Sequence, residues 1–300
     1  MQAYPRRIVA VAKMPDNCQV DPIRGQKTQR DSFGKSLLPV WLFLCASAAA
    51  AWIVWLWPIS KQIYLHITLA VWRVNIPLSN IKLLIGNALP GLLALAWTSA
   101  QGKQELHDLV SSLLAWKTKP RWYLLSIVLP SGVFLVSMCA VLIFFSERPI
   151  RPPGLVLFNS LGSLPFGPLW EEIAWRAFAL RKLQGHYSRL LSALIIGVYW
   201  AVWHIPLWLL TLNYLTFTLL LVICINLVAW SVIFAFLYDR SGQSLPVTIL
   251  LHATYLTVQN HVAAMVLHGT IYIIPVAAAL SVCTAVVFAK RLSVVGEDRH

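Results

Sequence analysis

The sequence predicts an all-α fold, a polytopic transmembrane helical bundle of about eight spans. Three observations carry that prediction. Hydrophobic residues make up 58% of the 300-residue chain and charged residues only 12%, where a soluble domain carries about 25% charged residues. The apolar residues fall in repeated runs of about 20, the length that crosses a bilayer as a helix. Lysine and arginine gather in the short stretches between those runs, which is the positive-inside pattern. The formal net charge of +13 therefore reflects membrane topology, and nucleic acid is excluded as a partner because no soluble domain presents a basic face.

Residues 1–36 hold Arg6, Arg7, Lys13, Arg24, Lys27, Arg30 and Lys35 with Pro, Gln and Asp interleaved. They read as a basic cytoplasmic tail, since the order of a signal peptide, a short basic stretch followed at once by an apolar one, is not there. An N-terminal transmembrane region follows at 37–154. Its first span is Leu37 to Trp57, stopped by Pro58. The segment from Ile59 to Pro77 is interrupted by Lys61, His66 and Arg73, and Tyr64 and Trp72 suit an interfacial position. Leu78 to Ala100 is the second span. It contains Pro90-Gly91, which a membrane helix tolerates better than a soluble one. Gln101 to Arg121 is polar, but Leu106, Leu109, Val110, Leu113 and Leu114 keep helical spacing, so a short amphipathic helix on the cytoplasmic surface is expected. Trp122 to Phe145 is the third span, and Ser146 to Gly154, rich in Pro and Arg, is an external loop.

A helical core at 155–291 and a short cytoplasmic tail at 292–300 complete the chain. The core spans are Leu155 to Leu183, Leu190 to Leu212, Leu215 to Leu237, Leu245 to Leu267 and Ile271 to Ala289, the last stopped by Lys290-Arg291. Eight spans return both termini to the cytoplasmic side of what reads as a bacterial inner membrane. Arg181, Lys182, Arg189, Arg240, Lys290 and Arg291 then lie inside, while Lys61, Arg73, Arg148 and Arg151 lie outside. No internal repeat is visible. Cys18, Cys45, Cys139, Cys224 and Cys283 show neither metal nor redox spacing and are expected to pack as small apolar residues. The 14 tryptophans are expected mostly in interfacial belts.

Carboxylates and imidazoles are costly in hydrocarbon, so Glu171, Glu172, Arg176, His204 and His252 read as functional. Their depths agree. Counted from the nearest cytoplasmic turn at 1.5 Å per residue, Glu171 lies about 18 Å in, His204 about 24 Å, His252 about 15 Å and Asn226 about 18 Å. Neighbours on a helix point about 100° apart, so Glu171 and Glu172 face different partners. Glu172 and Arg176 are four residues apart, share a face and form an ion pair. That leaves Glu171 as the candidate base in a low-dielectric site, with Glu172 and Arg176 in support. Asn226 is a minor candidate, as an interhelical hydrogen-bonding residue.

The order Glu171-Glu172-x-x-x-Arg176, then Trp200-x-x-x-His204, then His252 after the Tyr238-x-Arg240-x-Gly242 turn resembles the CPBP intramembrane protease family. That family includes the type II CAAX prenyl endopeptidase and bacterial members, and the resemblance covers about residues 155–256. It implies hydrolysis of a peptide bond by a glutamate-activated water. Glu171 and His204 would activate the water, and His252 would help form the oxyanion site. No cofactor is expected. The chain lacks a His-Glu-x-x-His signature, although Glu171, His204 and His252 are acceptable zinc ligands by type. One departure stands out: the family carries Asn or Asp four residues after its last histidine, and this chain has Leu256. Asn226, Thr254 and Asn260 are the candidates to replace it.

The expected function is an intramembrane endopeptidase acting near the cytoplasmic side on a membrane-associated peptide or protein. The alternative is a non-proteolytic scaffold or bacteriocin-immunity protein of the same fold, which Leu256 makes credible. A solute transporter would show paired broken helices in two related halves, and the sequence has none. Neither a prenyl-binding pocket nor an oligomeric state is legible.

Overall fold

A computed structural model of the chain describes residues 37–58, 64–69, 72–144, 167–212, 215–267 and 272–294. The N-terminal tail at 1–36, the loop at Ser146 to Gly154, residues 155–166 of the fourth span and the last residues of the C-terminal tail lie outside them. Helix α1 is Leu38–Leu56, and a β1–β2 hairpin follows at Tyr64–Leu69 and Trp72–Pro77. Helices α2 (Leu78–Gln101), α3 (Lys103–Leu113) and α4 (Pro120–Phe144) come next. Helix α5 covers residues 168–184, opening as α at Pro168–Glu172, widening to a π-helix at Ile173–Leu180 and closing as α at Arg181–Gln184. The core ends with α6 (Arg189–Thr211), α7 (Phe217–Arg240), α8 (Leu245–Leu267) and α9 (Ile273–Val294).

The chain is a multi-pass membrane protein. Among the described residues, α1, α2, α4, α6, α7 and α9 are each long and apolar enough to cross a membrane. Helices α5 and α8 fall outside that set. The described part of α5 is short, and α8 carries His252, Gln259, Asn260 and His261. With them the described helices follow the order of the eight expected spans, six of them meeting the length and apolarity that a crossing needs. Outward faces carry large apolar side chains such as Ile53, Val136, Ile225 and Val287, a surface suited to hydrocarbon rather than water.

Two details refine the expectations. The segment expected to lie at the interface forms an antiparallel hairpin, with Tyr64 opposite Pro77 and Leu69 opposite Trp72. Its Tyr, Ile, Thr, Trp and Val content favours strand, and pairing satisfies backbone groups that a membrane surface would leave costly. Several tryptophans pack inside the bundle rather than in a belt. Trp55, Trp175, Trp200, Trp203 and Trp230 are fully buried, with Trp55 against Trp203 at 4.7 Å and Trp175 against Trp203 at 5.6 Å between ring centroids.

Small residues and hydroxyls hold the helices together, as expected where lipid offers no hydrophobic drive. Gly197 lets α6 meet α7 so closely that an added Cβ would lie 2.9 Å from the Val228 Cα. Ser231 Oγ of α7 donates to the Ala193 carbonyl of α6 at 2.8 Å, and Ser126 Oγ of α4 to the Val247 carbonyl of α8 at 2.9 Å. The basic turns share one end of the bundle. There Thr118 Oγ1 donates to the Ser241 carbonyl at 2.9 Å and Ser244 Oγ to the Ala115 carbonyl at 2.6 Å. The amphipathic α3 lies at the same end, with Arg181 Nη1 donating to the Asp108 carbonyl at 3.4 Å.

Gly91 sets the approach of α2 to the acidic pair on α5. A Cβ there would come within 2.5 Å of the Trp170 carbonyl oxygen, directly before Glu171. Gly91→Ala is therefore expected to push α2 away from α5 and cost about 1–3 kcal/mol. A thermal-shift measurement in detergent checks this; an unchanged melting temperature would mean that the two helices separate freely.

Candidate active site

Helix α5 delivers the acidic pair at the point where its winding changes. Glu171 and Glu172 close the first α-helical turns, and the π-helix begins at the next residue. π-Helical turns are rare and often sit at functional sites. Every residue of this one, from Ile173 to Leu180, is buried, so the wide turn is enclosed by protein on all sides.

The two carboxylates diverge as the helical period requires. Glu171 Oε2 accepts hydrogen bonds from Trp200 Nε1 at 2.7 Å and Trp175 Nε1 at 3.3 Å. Its other oxygen lies toward Gly167, 3.3 Å from where a Cβ on that glycine would sit. Two indoles thus fix one oxygen and leave the second for other chemistry. Glu172, completely buried, accepts on Oε1 from Arg176 Nη1 at 3.0 Å. The same oxygen lies 2.8 Å from His252 Nδ1. The Arg176 guanidinium is stacked over Phe234 at 4.3 Å and Trp200 at 5.1 Å from the ring centres, so its charge faces aromatic surfaces and one carboxylate.

Both imidazoles have their Nδ1 engaged. His204 Nδ1 is 2.9 Å from the Trp200 carbonyl oxygen. A carbonyl can only accept, so Nδ1 carries the proton and a neutral His204 presents a lone pair on Nε2. His252 Nδ1 likewise faces a carboxylate oxygen, which leaves its Nε2 for the interior. Aromatic rings fix both orientations. His204 stacks on Trp208 at 5.2 Å, and His252 meets Trp200 edge-on at 5.4 Å and Phe234 at 5.5 Å.

Glu171, His204, His252 and Asn226 all line one cavity of about 390 Å³, shared by α2, α5, α6, α7, α8 and α9. Glu172 and Arg176 stand behind its wall. Leu256 and Asn260 also line it, whereas Thr254 Oγ1 donates to the Leu250 carbonyl at 2.9 Å and does not reach it. Among the described residues no three of His, Cys, Asp and Glu gather closely enough to hold a metal ion. Glu171, His204 and His252, acceptable zinc ligands by type, therefore do not fit a zinc site in this geometry.

The cavity runs away from the basic turns. Its outer lining includes Leu83 near the start of α2, Thr211 and Leu212 at the end of α6, and Ile274 at the start of α9. These are the helix ends opposite the basic residues. The described lining of the cavity therefore extends from the carboxylate–imidazole cluster toward the end of the bundle opposite the basic turns. Counting residues from a turn measures how deep a side chain sits, but not the end toward which the space beside it opens.

Sequence reasoning missed the indoles of Trp175 and Trp200 as hydrogen-bond donors to Glu171, and it missed Tyr255, which lines the cavity and whose hydroxyl accepts from Asn226 Nδ2 at 3.0 Å. The signal that tryptophan occurs three and four residues from the site residues was present. Assigning tryptophan to belts concealed it.

The fold and the site together define a multi-pass helical membrane protein with a carboxylate–imidazole cavity enclosed between its helices. Residues 153–258 match the family model described as "Type II CAAX prenyl endopeptidase Rce1-like", so the resemblance read from the motifs is borne out over the segment from Glu171 to His252. The chain is also similar to "CAAX prenyl protease 2" of Methanococcus maripaludis, at 40% identity over 38 residues. That alignment covers 13% of this chain and 14% of the relative's length.

Proposed function

We propose that the chain is an intramembrane endopeptidase that hydrolyses a peptide bond with a water activated by Glu171. One observation carries this reading: Glu171, His204 and His252 line one cavity, each held by a named partner. In the reaction, Glu171 takes a proton from water as the water oxygen bonds to the scissile carbonyl carbon. The carbon–nitrogen bond then breaks, and the amine nitrogen leaves with the proton that Glu171 held. The His204 lone pair orients the attacking water. His252, positioned by Glu172 and Arg176, faces the same space. The buried setting strengthens each of these interactions, because water does not screen them.

The match to a CAAX endopeptidase family supports protease chemistry over the scaffold reading. Substrates on this reading are peptides or proteins in or at the bilayer, and the location is a bacterial inner membrane with both termini inside. The test compares the N-terminal peptides of membrane and secreted proteins from cells making wild-type chain or Glu171→Gln. Termini seen only with wild type identify an endopeptidase and name its substrate. Identical sets at matched expression would return the chain to the scaffold or immunity class.

The cavity mouth makes a second, separate prediction. In a cysteine-free background, Thr211→Cys at the end of α6 is expected to react with a membrane-impermeant maleimide added to the side opposite the basic turns. Labelling from the basic side instead would show that the substrate route lies elsewhere.

A further inference from the structure

A second hollow lies on the outer face of the bundle, and none of its lining is shared with the carboxylate–imidazole cavity. Helices α6, α7 and α9 enclose it as a furrow of about 530 Å³, lined by aliphatic side chains and Cys224. Ala229 and Val232 of α7 are buried and form the floor, while Val202 of α6 and Val286 of α9 stand exposed along the rim. The furrow therefore opens sideways, toward lipid.

Its length says what fits. Along α6 the lining runs from Leu190 to Val202, about 18 Å at the helical rise. The hydrocarbon core of a bilayer is about 30 Å thick, so the furrow covers little more than one leaflet. A spanning helix would overrun it, whereas one acyl chain of the leaflet at the basic end matches it.

The upper end of the furrow is positively charged. Asp239 of α7 lies two turns beyond Val232 on the same face. Its Oδ2 is 3.7 Å from Arg189 Nη1, and Gln184 Nε2 donates to both carboxylate oxygens at 3.3 Å and 3.2 Å. Arg189, directly before Leu190, is thereby anchored where the furrow begins. Across it, Lys290 is exposed and lies four residues beyond Val286, on the same face of α9. Arg240 and Arg291 stand beside this pair, with Arg240 Nη2 donating to the Arg291 carbonyl at 3.4 Å. Among the described residues, four cations thus surround one carboxylate. Helix α6 also starts here, so the positive end of its dipole adds to the field.

We propose that this furrow holds one acyl chain of an anionic phospholipid, with Arg189 and Lys290 binding the phosphate. The apolar walls set the position of the lipid and the cations select its headgroup. The proposal is independent of the endopeptidase reading, because the measurement below follows lipid binding and not processing.

The test is native mass spectrometry of the full chain in detergent, titrated with phosphatidylglycerol and with phosphatidylcholine of identical acyl chains. One phosphatidylglycerol is expected to bind about 30-fold more tightly than phosphatidylcholine, the ratio supplied by two cations at about 1 kcal/mol each. Arg189→Gln and Lys290→Gln should each weaken phosphatidylglycerol about fivefold and leave phosphatidylcholine unchanged. Ala289→Phe, at a half-buried position on the lining, narrows the furrow and should weaken both lipids alike. If Arg189→Gln fails to accumulate because Asp239 loses its partner, Lys290→Gln carries the test. Equal binding of the two lipids would overturn the proposal, as would selective binding that survives both Lys290→Gln and Ala289→Phe. A dimer that Ala289→Phe dissolves would make a second copy of the chain the occupant and would overturn it equally.

Discussion

Glu171→Gln is expected to reduce processing by about 10²–10⁴-fold, the range for losing a positioned general base, while the protein still accumulates in membranes. Glutamine keeps the shape of the side chain. Its amide oxygen can still accept from Trp200 and Trp175, which hold Glu171 Oε2 at 2.7 Å and 3.3 Å. The remaining position toward Gly167 would then carry an NH₂ group, which cannot take a proton from water. The fold is thereby kept and the chemistry lost. Counting substrate termini per unit of membrane protein gives the result directly. Processing at the wild-type rate would remove Glu171 from the reaction.

Arg176→Met should have the largest effect on stability. Glu172 is completely buried, and Arg176 and His252 are the partners that meet its Oε1, at 3.0 Å and 2.8 Å. Methionine fills much of the space over Phe234 and Trp200 but leaves the carboxylate without its permanent cation. Breaking a buried pair in this way costs about 3–5 kcal/mol. The other carboxylate oxygen and Arg176 Nη2 find no partner among the described residues, so the site has little with which to compensate. The expected result is a sharp fall in membrane accumulation and in melting temperature in detergent. Glu172→Leu combined with Arg176→Met removes both charges and should recover most of the stability, because apolar replacement of a whole buried pair is often neutral or better. Processing should stay low in the double variant, since His252 loses the carboxylate that orients it. A single Arg176→Met variant as stable as wild type would show that the ion pair is not structural.

These two variants separate roles that look alike in the sequence. Glu171 and Glu172 are adjacent and chemically identical, yet one opens on the cavity and the other lies behind its wall. That division was legible from the helical period alone. So was the Glu172–Arg176 contact, which persists although the helix changes to π-helical winding at Ile173.

The sequence by itself determined the order of the apolar helices, the turns that carry the basic residues, the opposed directions of the two glutamates and the similar depth of Glu171, His204, Asn226 and His252. Each of these depends on composition or on period along a single helix axis. Only the tertiary structure decided that His252 bonds to Glu172, that Trp200 and Trp175 hold Glu171, that Asn226 meets Tyr255, and that the cavity lining extends away from the basic turns. Those facts depend on how far each helix is rotated about its axis and which helices are its neighbours. Packing between helices sets both, at close approaches such as Gly91 against Trp170 and Gly197 against Val228, and a pattern read along one dimension does not contain them.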